Sequence, residues 1–216
     1  MGYVSENTIA SVKKALELNV DGIEIDVHKC QSGELVVIHD FTLDRMTNGS
    51  GEVSKKSLLE LKNLKVKDVH EIPTLEEVLN EIHAKCKINI ELKGNETAEK
   101  VDEVIRYYVD DKGWNYGDFL VSSFQHKELE KMYQLNKNIN LAVLTKANLF
   151  EAMEFAETIE AKAIHPNVAL VTSENIYAAQ QKGFAINVWT VNESKTISRM
   201  KSYKVNGIIS DFPDRL

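Results

Sequence analysis

The sequence predicts an α/β protein built from repeated βαβ units. Two observations carry this reading. From Ser5 onward, segments with the 3.6-residue apolar period of a helix alternate with short β-branched runs, at a spacing of about 20 to 30 residues. Such alternation forms a parallel sheet, because each strand must return through a helix before the next can pair alongside it. The length, 216 residues, allows one domain, spanning 1–216. It is short for a complete (β/α)8 barrel, for which about 250 residues is usual.

The elements follow in order. Ser5 to Thr8 opens a helix carrying Ile9, Val12, Ala15, Leu16 and Leu18, which Asn19 to Gly22 ends. A strand is expected at Gly22 to His28, then the turn Gln31, Ser32, Gly33 and a second strand at Leu35 to Asp40. Residues 41–72 are irregular, with a short helix from Ser54, read as its cap, to Leu64; the whole stretch 35–72 reads as an insertion. Interruptions of this kind on a regular scaffold often carry function. After Pro73 come helices at Thr74–Ala84, Glu96–Lys112, His126–Leu135, Leu149–Ile159, Ser173–Lys182 and Glu193–Ser202. Between and after them come strands at Lys87–Lys93, Phe119–Phe124, Asn140–Leu144, Lys162–His165, Phe184–Thr190 and Gly207–Ser210. Seven strands belong to this rhythm and the first helix has no strand before it, so a barrel of eight would need one more ahead of Met1. Without it, the strands around Glu24 and Ile208 are expected to keep unpaired edges, with self-association through those edges as a consequence.

Composition narrows the function. Hydrophobic residues make up 43% and charged residues 27%, ordinary for a folded domain with a core. The net charge of −7 and the lack of a basic stretch interleaved with aromatics argue against a nucleic-acid partner. No apolar run reaches the roughly 20 residues of a membrane span. The opening residues have no apolar leader region and Cys30 and Cys86 lack metal-ligand spacing, so a cytoplasmic location with two ordinary thiols is expected.

The chemistry is concentrated in two strands. In Gly22-Ile23-Glu24-Ile25-Asp26-Val27-His28 the alternation of strand side chains puts Glu24 and Asp26 on one face and the aliphatic residues on the other. A parallel strand is covered on both faces, and two covered carboxylates need a cation or hydrogen bonds. The ordinary alternative is a solvated edge strand. Lys87-Ile88-Asn89-Ile90-Glu91-Leu92-Lys93 repeats the construction. If both strands end at one rim, Glu24, Asp26 and Glu91 offer three hard oxygen ligands, which suit Mg²⁺ or Ca²⁺ better than Zn²⁺. Lys93 would favour an anionic substrate beside them, and a plain Glu91 to Lys93 ion pair is its competing reading. His39 follows the acidic strand and precedes the long loop, where an imidazole can carry a proton near neutral pH. On base rates a lone histidine there is more often structural.

In order along the chain stand Ser5-Glu6-Asn7-Thr8, Asp21 to Val27, Ser32 to Asp40, Leu43-Asp44-Arg45, Thr47-Asn48-Gly49, Ile72 to Glu77, Ile90 to Lys93, Ser122-Ser123-Phe124, Val188 to Asn192 and Gly207 to Pro213. Single motifs among these are weak, but their order and spacing together resemble the glycerophosphodiester phosphodiesterase family over essentially the whole chain. The resemblance implies a TIM-type barrel of the phosphodiesterase kind and hydrolysis of glycerophosphodiesters to glycerol 3-phosphate and an alcohol. It implies that Glu24, Asp26 and Glu91 bind the divalent cation, that His39 is one of two catalytic histidines, and that Lys93 contacts phosphate. Trp189 would wall the cleft, unless it is a core tryptophan. Glu6 would lie near the metal, although a place in the capping turn explains it almost as well. The family pattern opens with a strand ending in His-Arg-Gly, and no such tripeptide precedes Ser5. The resemblance therefore implies metal binding more firmly than turnover. A lysophospholipase D-like activity and a non-catalytic metal- or phosphate-binding barrel are the alternatives.

Overall fold

A computed structural model describes residues 2–67 and 69–216; Met1 and Asp68, both within the expected single domain, lie outside the described residues. The strands are β1 (Gly22–Lys29), β2 (Leu35–Val37), β3 (Lys87–Leu92), β4 (Phe119–Ser123), β5 (Asn140–Thr145), β6 (Ala163–Pro166), β7 (Ala185–Val188) and β8 (Gly207–Ile208). The helices are α1 (Ile9–Glu17), α2 (Leu58–Lys62), α3 (Leu75–Ile82), α4 (Ala98–Asp111), α5 (His126–Leu135), α6 (Leu149–Thr158), α7 (Ser173–Gln181) and α8 (Ser194–Ser202).

All eight strands form one sheet in the order β2-β1-β3-β4-β5-β6-β7-β8. Every neighbouring pair from β1 to β8 is parallel, while β2 folds back antiparallel on the end of β1, pairing Val27 with Val37 and Lys29 with Leu35. Gly33 makes that reversal with φ +102, a conformation that a side chain disfavours. The expected seven-strand rhythm and the hairpin outside it are thus present.

The sheet is a barrel left open between β1 and β8, which are not paired. The β1 side of the gap is less bare than expected. Toward the C-terminal end β2 covers it, the Ile38 N–H donates to the Asp26 carbonyl at 3.1 Å, and the Asp26 N–H donates to Asn7 Oδ1 at 3.1 Å. Asn7, at φ +55, thus does for Asp26 what a neighbouring strand would do.

The main core lies between the sheet and its surrounding helices. Ile23, Ile25 and Val27 of β1, Ile88, Ile90 and Leu92 of β3, and Val78, Leu79 and Ile82 of α3 all belong to it. Each such side chain contributes roughly 1.5 to 3 kcal/mol by leaving water. The insertion carries its own small core of Cys30, Val36, Ile38, Leu43, Met46, Val53, Leu61, Val66 and Ile72. It is a packed unit fixed at the rim by β2, whose Val36 faces it while Leu35 and Val37 face the main core.

Local capping corrects two details of the sequence reading. The insertion helix is capped by Ser57, not Ser54: the Ser57 hydroxyl accepts from the Glu60 N–H and the Glu60 carboxylate accepts from the Ser57 N–H. Ser54 falls inside a preceding 3₁₀ turn, Val53–Lys55. At α1 the capping box is Thr8 with Ser11, which removes capping as the explanation of Glu6.

Candidate active site

Glu24, Asp26 and Glu91 converge as the strand alternation requires. One ligand oxygen of each lies within 4.8 Å of those of the other two. Register creates the meeting, because β1 and β3 are parallel and pair Asp26 directly with Glu91 and Glu24 with Asn89. Asp26 and Glu91 are buried, at 4% and 6% exposure. Glu24, expected to be covered, is instead exposed, because its side chain points into the lumen beside the gap between β1 and β8. The whole cleft, about 2050 Å³, contains these carboxylates together with His39, Lys93 and Trp189.

The electrostatics are those of crowded acids. Burial pushes the Glu91 carboxyl up to about 7, and the Asp26 charge adds to this. The Glu24 carboxyl is also held well above its ordinary value, by its position inside the barrel and then by Asp26 and Glu91. Lys93 Nζ lies 3.2 Å from Asp26 Oδ1 and 3.1 Å from Glu91 Oε1. Burial opposes its charge, but Asp26 and then Glu91 outweigh that and raise its pKa. The ion pair and the acid cluster, which the sequence offered as competing readings, are both present. One ammonium neutralises one charge, so the cluster keeps room for a further cation.

His39 stands just beyond β2, with its ring about half exposed toward the cleft. Its Nδ1 lies 2.7 Å from Asp40 Oδ1 and its Nε2 3.1 Å from Lys93 Nζ. Asp40 in turn receives two bonds from Arg45, through Nε to Oδ2 and through Nη2 to Oδ1 at 2.8 Å. The Arg45 guanidinium, with smaller help from His39, holds the Asp40 carboxyl well below the usual carboxylate range. Arg45 Nη2 also donates to Glu6 Oε1 at 3.0 Å, so Glu6 reaches the site through this arginine. Trp189 also lines the cleft, partly exposed, edge-on to Phe124 at 5.6 Å, with its indole N–H donating to the His165 carbonyl at 2.7 Å. That places it at the cleft rather than in the core.

Four residues of this site carry no role in the sequence reading: Asn7, Asp40, Arg45 and Phe124. Asn7 Nδ2 donates to Asp26 Oδ2 at 2.8 Å and so orients that carboxylate. Asp40 and Arg45 belong to the motifs that carry the resemblance, but their pairing across five positions of an irregular loop has no periodic signal in the sequence. His165, Asn89 and Ser122 add a polar interior. His165 Nδ1, Asn89 Oδ1 and Ser122 Oγ are buried with no hydrogen-bond partner among the described residues. Burial pulls His165 down to about 4, so it is neutral near pH 7.

The model of the glycerophosphoryl diester phosphodiesterase family matches residues 1–215. The chain belongs to that family. Among curated relatives, a glycerophosphodiester phosphodiesterase of Bacillus altitudinis is 38% identical over 231 residues, covering 99% of this chain and 92% of its own. One of Caldanaerobacter subterraneus subsp. tengcongensis is 36% identical, covering 99% and 91%. Among solved structures, a phosphodiesterase of Oleispira antarctica in complex with the product sn-glycerol-3-phosphate superposes with a TM-score of 0.87 at 24% identity. That match covers 97% of this chain and 88% of the other and supports the fold. The glycerophosphodiester phosphodiesterase of Thermotoga maritima superposes with a TM-score of 0.79 at 26% identity, covering 99% and 92%. The barrel of this family member is therefore of the expected kind. No helix among its described residues is long and apolar enough to cross a membrane.

Proposed function

We propose that the chain hydrolyses glycerophosphodiesters to sn-glycerol 3-phosphate and an alcohol, using a divalent cation held by Glu24, Asp26 and Glu91. The observation that carries this reading is the meeting of those three carboxylates within 4.8 Å, beside Lys93 and His39, in a member of this family. An all-oxygen donor set of this charge fits Mg²⁺ or Ca²⁺. When bound, such a cation neutralises charge on phosphoryl oxygens.

The chain's own residues supply the rest. Lys93 offers its ammonium to the phosphate, His39 carries the proton that moves as water replaces the alcohol on phosphorus, and Trp189 bounds the cleft beside Phe124. Glu6 acts through Arg45, which it contacts directly. The test is release of glycerol 3-phosphate from glycerophosphocholine with Mg²⁺ or Ca²⁺. It is applied to this chain and to one extended ahead of Gly2 by an apolar strand ending in His-Arg-Gly. Release by either supports the assignment, and release by neither overturns it.

Self-association belongs to the same proposal. The alternation along β1 directs the backbone groups of Gly22 and Glu24 to the side away from β3, where the sheet stops. Dimers in sedimentation that the strand extension abolishes support this. Monomers at all concentrations overturn it.

A further inference from the structure

We propose that Asp40, clamped by Arg45, is a positioning residue that fixes the tautomer of His39. It ties Nδ1–H to the Asp40 carboxylate and presents the bare Nε2 to the cleft. This deepens the proposed function, and rests on it for the role of His39 as proton carrier.

The hydrogen-bond inventory on the two sides of the ring carries the argument. Lys93 Nζ lies 3.1 Å from His39 Nε2, and an ammonium there has donors only, so the contact fits an accepting Nε2. A neutral imidazole that accepts at Nε2 carries its proton on Nδ1. The partner there is the Asp40 carboxylate, 2.7 Å away, which only accepts when ionised. Arg45 makes that ionisation secure. Its paired Nε and Nη2 bonds occupy both Asp40 oxygens and leave Oδ1 shared with His39, so the carboxylate cannot turn away without breaking a charge-assisted bond.

The arrangement also ties together three segments that are distant in the sequence. Glu6 precedes α1, Arg45 lies in the insertion and Lys93 follows β3, and the chain of contacts runs Glu6, Arg45, Asp40, His39, Lys93, Glu91. A free imidazole in water prefers no such fixed orientation, and His39 is half exposed with no other side-chain bond holding its ring among the described residues. The polarity is useful for hydrolysis. A bare Nε2 beside the phosphate-facing lysine can take a proton as the P–O bond to water forms, and the same atom can return it to the departing alkoxide as the old P–O bond breaks. An adjacent carboxylate stabilises the imidazolium between those events.

The test reads the tautomer directly and the kinetics separately. Nitrogen-15 correlation spectra of the His39 ring are compared in the full chain and in Asp40→Ala, Asp40→Asn and Arg45→Gln. The Nδ1–H form is expected in the unmodified chain, and a mixture or the Nε2–H form in Asp40→Ala. The same variants are assayed with glycerophosphocholine and Mg²⁺ in the form of the chain that turns over. A fall in kcat with KM little changed is expected for Asp40→Ala, smaller than the roughly 10² to 10⁴-fold fall on removing a proton carrier. Asp40→Ala combined with His39→Ala should be no slower than His39→Ala alone, since a positioning residue has nothing left to position. An unchanged Nδ1–H tautomer in Asp40→Ala overturns the proposal, as do additive losses in the double variant. Full activity in His39→Ala instead overturns the functional role assigned to His39, and the spectra still decide the tautomer.

Discussion

Lys93 Nζ, just beyond the end of β3, lies 3.1 Å from Glu91 Oε1, two residues earlier in the chain, and so serves as the counter-ion of a carboxylate that also belongs to the acid cluster. Glu91 and Lys93 sit close enough that each favours the charge of the other. The electrostatic predictions begin from this pair.

Glu91 is held near 7 by burial and by Asp26, against an ordinary value of 4.5. A carboxyl raised by folding binds its proton more tightly in the native state, so its protonated form stabilises the fold at low pH. That stability is present below about 4.5 and is lost as pH rises through about 7. The melting temperature of the metal-free protein should therefore fall across this window. A Glu91→Gln variant should show a flatter profile.

Divalent cation should reverse that loss. A cation held, as proposed, by the ionised cluster competes with protons, so the rise in melting temperature on adding Mg²⁺ or Ca²⁺ should be larger at pH 8 than at pH 5. Asp26→Asn should weaken binding by more than about 100-fold, beyond the usual cost of losing an outer partner. Titration calorimetry with the ion alone measures this without reference to turnover.

His39→Ala should lower kcat by about 10² to 10⁴-fold, while the calorimetric affinity for Mg²⁺ stays within about twofold, because the ring is not part of the acid cluster. An equal loss in both measurements would place His39 among the metal-binding groups instead.

Ser57→Ala should destabilise the protein by about 1 kcal/mol through loss of the α2 cap, whereas Ser54→Ala should change stability by less than about 0.5 kcal/mol. Urea unfolding of the two variants separates them. Equal effects would contradict the assigned cap.

Much of this architecture is legible in the sequence. The 2-residue and 3.6-residue periods located the strands and helices because burial on one face is a local constraint, repeated at every turn. Glu24, Asp26 and Glu91 were visible as an acidic face because side-chain direction along a strand depends only on parity. Ser54 reads as a cap because two serines, Ser54 and Ser57, stand ahead of the same apolar run, and only the reciprocal box with Glu60 selects Ser57.

The sequence by itself determined the parallel βαβ order, the family, and the acidic face of β1 and β3. Tertiary structure alone decided that Asn7 completes the edge of β1 at Asp26, that Glu24 opens to the lumen, and that Arg45 joins Glu6 to Asp40 behind His39. The division has a physical cause. Periodicity records which face of an element is buried, while the contacts of Asn7 with Asp26 and of Arg45 with Glu6 connect residues 19 and 39 positions apart, through loops whose course is set by the packing of the insertion core on the rim.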